Sequence, residues 1–242
     1  MGHSNKDWGL STASNIAYPM SDLGELSVRL GSIVSHDRRG DVIWADGFEN
    51  GISGWSTLGF GAGWEGQLCS AYSRLGGSSC RLKTGSNAGD FMAISRYWPK
   101  VRNNRLGMEF SVAFTSTMSH VGCHVQVYDG TSYFVFGIRY DIATDEVQIY
   151  SIPGYHVVFA TGFTRYKTPH LFHTFKVVAD LDKSEYVRAI IDEQEWDLSA
   201  YPLIVGAAAV GPSTHWIVDC DSDPAVLVNC YIDDVIATQN EP

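Results

Sequence analysis

The 242-residue chain carries 17 Lys and Arg against 27 Asp and Glu, a net charge of −10, with aromatics at 12% and 24 glycines. The basic residues are scattered, so the footprint that would neutralise nucleic-acid phosphates is missing, and no nucleic-acid partner is expected. No run of about 18 apolar residues occurs, which excludes a membrane-spanning helix, and the abundant aromatics argue against disorder over most of the length.

In chain order, residues 1–40 differ from the rest. The first twenty are polar and irregular, with no basic segment followed by an apolar core, so no secretory signal peptide is expected. Leu23, Leu26 and Leu30 then recur at helical spacing behind Ser21 as an N-cap. Gly24 and Gly31 weaken that helix, and "ELSVRL" reads equally as a strand. "DRRGD" at 37–41 is a polar turn. This segment is read as an N-terminal extension arm that packs on something else, with a neighbouring subunit favoured.

From Asp41 to the end, the signals are those of strands in one domain, 41–242. "WADGFENGISGW" (44–55) is a strand running into a glycine-rich turn, with Phe48 aimed at the core. β-branched and aromatic runs follow at 106–115, 120–129, 131–141, 145–152, 155–163 and 171–182. Others lie at 185–198, 204–211 and 225–237. Between them fall "DG", "ATD", "PG", "DKS" and "DSDP", which are turn chemistry. No helical pattern of a dozen residues interrupts them, so the expected architecture is all-β, an antiparallel sandwich.

At 171–198, "LFHTFKVVADLDKSEYVRAIIDEQEWDL" resembles the concanavalin A-like lectin/glucanase superfamily, including its laminin G-like domains. There a "W/F-H-x-F-K-V" strand, a turn and a strand ending in "I-D-x-x-x-W/Y" follow one another. "DGFENGISGW" and "YIDDVIA" are similar to the first and last strands of jelly-roll carbohydrate-binding modules. The resemblance implies a jelly-roll β-sandwich. "GELSVRLGSIVSHDRRGDV" ahead of a sandwich more weakly resembles structural proteins of phages and archaeal viruses.

In such modules the "FE" and "DD" carboxylates meet where the terminal strands pair and hold a structural calcium. The matching positions are Glu49, Asp233 and Asp234, with Asp46 nearby; oxygen ligands suit Ca²⁺, and the alternative is that these are turn and edge residues facing water. "DCDSDP" places Asp219, Asp221 and Asp223 at alternate positions, and is read as a solvated acidic loop in preference to a strand face. His120 and His124 point the same way on a strand but stand over ~13 Å apart, too far to share a metal. His170 and His173 fall on opposite faces.

"DEQEWD" (192–197) offers Glu193, Glu195 and Asp197 on one side of a strand. Superfamily glucanases carry Glu-x-Asp-x-Glu instead, so no catalytic residue is assigned and no enzyme is expected. Trp55, Trp64, Trp98, Trp196 and Trp216, with Tyr72, Tyr97 and Tyr155, are candidates either for a sugar-stacking platform or for the core. Cys69, Cys80, Cys123, Cys220 and Cys230 are odd in number and lack a CxxC motif, so buried thiols are favoured. Pairing of Cys69 with Cys80, or of Cys220 with Cys230, stays open.

The resulting expectation is a non-enzymatic component of a larger virion or cell-surface assembly. It would be a capsid-decorating protein held to other subunits by its arm, and oligomeric or assembly-bound. The alternative is a carbohydrate-binding, lectin-like module.

Overall fold

Residues 118–128 show why the chain forms sheets. Met118, Val121, Cys123, Val125 and Val127 are buried apolar residues, while His124, Gln126 and Tyr128 between them are only partly covered. A period of two puts alternate side chains on opposite faces, so one face enters a core and the other stays polar. The computed structural model describes residues 39–100, 104–152, 155–222 and 226–242. Sixteen strands and no helix occur among them.

The strands are β1 Asp41–Asp46, β2 Ser56–Gly59, β3 Glu65–Cys69, β4 Ser79–Lys83, β5 Phe91–Pro99, β6 Arg105–Ala113, β7 Met118–Tyr128 and β8 Ser132–Asp141. They continue with β9 Glu146–Ile152, β10 Tyr155–Ala160, β11 His173–Asp180, β12 Glu185–Ile191, β13 Gln194–Asp197, β14 Ile204–Ala207, β15 Ser213–Ser222 and β16 Asn229–Gln239. The first sheet runs β13-β12-β11-β6-β16-β4-β3, with β1 pairing the later half of β16. The second runs β10-β9-β8-β7-β15-β5-β2, with β14 sharing the β9 edge of β8. All pairings between named strands are antiparallel. This is the expected jelly-roll sandwich. Its interior holds Phe110, Phe175, Phe136 and Tyr140 with the aliphatic faces of both sheets.

Several boundaries differ from the sequence reading. The run 185–198 is two strands, because Asp192 takes a left-handed backbone (φ 52°) and turns β12 into β13. Asp219 and Asp221 lie in β15, a strand paired on both sides by β5 and β7, and not in an acidic loop. The perfect burial alternation of β15 places Thr214, Trp216, Val218, Cys220 and Ser222 inward. Asp223 lies outside the described residues, as does all of the 1–40 arm except Arg39 and Gly40. All five cysteines are free thiols, four of them buried.

Candidate functional site

The first and last strands do meet. β1 lies beside β16, and the "DGFENG" turn folds over it with Phe48 fully buried at φ 59°. Asp46 Oδ1 accepts from the Phe48 amide at 2.8 Å and its Oδ2 from Trp55 Nε1 at 3.0 Å. Glu49 Oε1 accepts from the amides of Gly77 and Ser78, at 2.9 and 3.0 Å. Asp233 Oδ2 accepts from the Arg74 amide at 2.8 Å, and the Arg74 guanidinium reaches Asp234 at 2.7 Å.

The register shift between Asp233 and Ile236, with Asp234 at φ 47°, buries both carboxylates side by side. Burial, followed by the Asp234 charge, pushes the Asp233 carboxyl up to about 7. Burial also raises Asp234; Arg74 opposes that shift and the nearby Glu49 adds to it. Glu49, Asp233 and Asp234 thus gather around the loop at 74–78, but their carboxylate oxygens do not come within a shared ion's reach of one another. Loop amides and Arg74 supply positive partners to one oxygen of Glu49, Asp233 and Asp234 each. The arrangement works as a clasp that closes the sandwich on charge-assisted hydrogen bonds.

A different region has the character of a ligand site. On the outer face of the second sheet, one row runs Asp221, His120, Asp141 and Glu146 from β15 through β7 and β8 to β9. The next runs Asp219, Gly122, Arg139 and Gln148. A third carries Ile217, His124 and Gly137, and a fourth sets His215 between Tyr97 and Gln126. From His120 to Tyr128 the face extends roughly 27 Å at the usual rise of a strand.

Glycine opens its floor. A Cβ on Gly137 would stand 2.2 Å from the Cys123 carbonyl oxygen and 2.7 Å from His124 Cβ, and one on Gly122 would stand 2.8 Å from the Ile138 carbonyl oxygen. Only glycine lets the neighbouring strands hold these positions. His124 and Tyr150 rings come within 5.2 Å of each other, Tyr150 and His156 within 4.4 Å. Tyr97 stacks flat on His215 at 3.8 Å and is 63% exposed, so its ring presents a free aromatic surface.

The electrostatics of this face are unsettled. His124 Nδ1, Arg139 Nε, His156 Nε2, His215 Nε2 and Asp219 Oδ1 are buried atoms without a hydrogen-bond partner. Native interiors leave few such atoms, and each calls for a bound group or water. His173 shows the ordinary alternative: its Nδ1 meets Asp192 at 2.8 Å and its Nε2 the Tyr166 carbonyl at 3.1 Å. Burial pulls the imidazoles of His124, His156 and His215 down to about 4, so they are neutral at pH 7. Burial pushes the Asp219 carboxyl up to about 6; His120 opposes that shift and Asp221 adds to it.

The remaining sequence candidates sit elsewhere. Glu193 lies in the β12–β13 turn. Glu195 is bound by Arg39 through both oxygens, and Asp197 Oδ1 accepts from the Ser199 amide. Trp55 and Trp216 are buried, and Trp98 packs between Trp44 and Trp216, so these three are core residues and not a platform. Among the aromatic candidates, Tyr97 stands on the polar face. Reasoning within single segments missed this face because it is built across strands. Asp219 and His120 are about a hundred residues apart, and only β7–β15 pairing joins them.

No protein-family model matches the sequence, and no curated protein matches it. Solved structures match in fold. An endo-β-1,4-glucuronan lyase from the fungus Trichoderma reesei superposes with a TM-score of 0.53 at 8% identity, over 83% of this chain and 96% of that one. The cellulose-induced protein Cip1 gives 0.48 at 12%, over 81% and 96%. The potassium-bound carbohydrate recognition domain of Emp46p gives 0.47 at 10%, over 80% and 92%. At these identities the likeness concerns architecture alone, and the lyase superposition agrees with the jelly-roll β-sandwich seen in this chain.

Proposed function

We propose that the chain binds a polysaccharide along the outer face of the second sheet, with Tyr97 as stacking surface and His124, Arg139, Gln148 and His156 as hydrogen-bonding groups. The observation that carries this reading is the group of five buried polar atoms without a hydrogen-bond partner on this one sheet face, where those elsewhere, such as Arg81 Nε and Asn229 Oδ1, are scattered. A polyhydroxylated ligand supplies donors and acceptors in alternation, and its C–H faces pack on an aromatic ring. Folding alone gives no return for leaving such atoms unmet, since each costs about 1–3 kcal/mol when desolvated.

The test is a screen of the intact chain on immobilised polysaccharides, followed by calorimetry on the best ligand. Tyr97→Ala should weaken binding about tenfold, the equivalent of ~1.4 kcal/mol, and leave the melting temperature unchanged. Equal binding by wild type and variant would move the site off this face.

A second reading, turnover, has its own support. A neutral His124 lies beside Tyr150 with the Arg139 cation on the same face. Arginine suits a uronate carboxylate, and the unprotonated His124 is free to accept the neighbouring proton, as a weak base at a pKa of about 4. Unsaturated uronate released from polyuronates by the wild type, and lost in His124→Ala, would establish it. The assembly role is a separate proposal resting on the 1–40 arm, and deleting residues 1–40 tests it. A folded sandwich that no longer assembles supports the role, and continued assembly contradicts it.

A further inference from the structure

We infer that His120, Asp219 and Asp221 form a binding site for one first-row divalent metal ion, of the zinc class, at the acidic end of the polar face. His120 Nε2 lies 3.1 Å from Asp221 Oδ2 and 3.9 Å from Asp219 Oδ2, and one donor atom from each residue falls within 4.8 Å of the others. A metal that holds nitrogen and oxygen donors at about 2.0–2.2 Å sets them roughly 3–4 Å apart, so the donors stand close to a metal's spacing before any side chain moves.

The backbone fixes this convergence. Asp221 is directly opposite His120 across the β15–β7 ladder, and Asp219 is two residues along the same face. Gly122, facing Asp219, contributes no side chain that would fill the space.

Three further observations point to a cation. Asp219 turns Oδ2 toward His120, and its buried Oδ1, 3.9 Å from His124 Nδ1, has no hydrogen-bond partner, so neither oxygen is taken up by a close donor. Asp219 and Asp221 are like charges on one half-buried face, and a divalent ion between them relieves the repulsion. His120 is 6% exposed, with Ser119 Oγ 3.4 Å from its Nδ1, which leaves Nε2 directed at the two carboxylates.

One imidazole nitrogen with two carboxylates suits zinc, manganese or cobalt better than calcium, which prefers an all-oxygen shell. Three protein donors leave coordination positions open on the side where the sheet faces outward. A hydroxyl or carboxylate of a bound saccharide could occupy them, although the metal site stands without the saccharide reading.

The experiment uses the intact chain, stripped with chelator, and two probes. Titration with ZnCl₂ alone should give one site per chain. His120→Gln and Asp219→Asn should each weaken that site at least tenfold, while circular dichroism reports an unchanged sheet. Cobalt on the wild-type chain provides a readout independent of any variant: visible d–d bands displaced by zinc are expected, without a sulfur-to-metal charge-transfer band. Absence of zinc binding, binding unchanged in both variants, or a thiolate band assigning the metal to cysteines would each overturn the site. Polysaccharide binding measured with chelator present reports separately on the proposed function.

Discussion

The outer faces of the two sheets are both rich in polar groups, yet they solve opposite problems. On the first sheet, Lys176 and Arg188 are almost fully buried, and both converge on the equally buried Glu241 near the C-terminus. Lys176 Nζ is 2.8 Å from Glu241 Oε1, Thr238 Oγ1 donates to the same oxygen, and Arg188 also reaches the Pro242 carbonyl at 2.8 Å. On the second sheet, His124, His156, His215, Arg139 and Asp219 leave buried atoms without partners. Paired charges fasten the chain terminus to a sheet. Partnerless ones cost stability, and under the proposed function a ligand completes those on the second sheet. The difference teaches where to look for function: in polar groups that folding has not satisfied, more than in polar groups as such.

The largest effect should come from breaking the first network. Lys176→Met leaves Glu241 facing Arg188 alone in a buried site, and removal of one buried partner typically costs ~3–5 kcal/mol. Urea denaturation should show that loss. His156→Leu on the second sheet should be near neutral or stabilising, because it removes a desolvated Nε2 that has no hydrogen-bond partner and keeps an apolar side chain against Tyr150. A similar loss for both variants would erase the contrast.

The clasp should rank next. Arg74→Met strands Asp234, whose side chain is 2% exposed, while Arg74 itself is 23% exposed and partly screened. A loss of about 1–3 kcal/mol is expected. The calcium implied by resemblance is tested on the same protein. A melting temperature raised by added Ca²⁺ and lowered by EDTA would place an ion among Glu49, Asp233 and Asp234 beside Arg74. An unchanged curve would leave Arg74 as the clasp's cation.

Acid provides a smaller test. His215 has its folded value lowered from 6.5 to about 4, chiefly by burial. The unfolded chain therefore binds more protons between those values. The contribution is present above pH 6.5 and is lost as pH falls toward 4. Asp219, raised from 3.8 to about 6, works the other way and loses its contribution as pH rises through that window. His215→Gln should flatten the acid-side decline of the melting temperature between pH 6.5 and 4. An unchanged slope would show that this imidazole titrates as if exposed.

Much of the sandwich was legible in the sequence, for reasons the strands make plain. β7, β8 and β11 announce themselves because β-branched and aromatic residues dominate them. The "DKS" turn stands out because Ser184 must take φ 57° there. The pairing of β1 with β16 followed from motif resemblance.

β15 hid itself. Its outward residues are Ser213, His215, Ile217, Asp219 and Asp221, and the last of these ran into a "DSDP" that reads as turn chemistry. The His120 distance argument holds for a pair on one strand. The carboxylates beside His120 come from the neighbouring strand, and cross-strand register over a hundred residues is not written in local spacing. The tryptophans stayed ambiguous in the sequence for a different reason. Large aromatics fill sandwich cores as readily as they bind sugars, and burial alone separates the two uses.

Under the proposed function the ligand sits on the outer face of the second sheet. Backbone amide hydrogen exchange of the intact chain, with and without the best oligosaccharide from the screen, locates it. Added protection should concentrate in β7, β8, β9 and β15, with the first sheet unchanged. Protection confined to the first sheet, or to the loops around the Glu49 clasp, would contradict it.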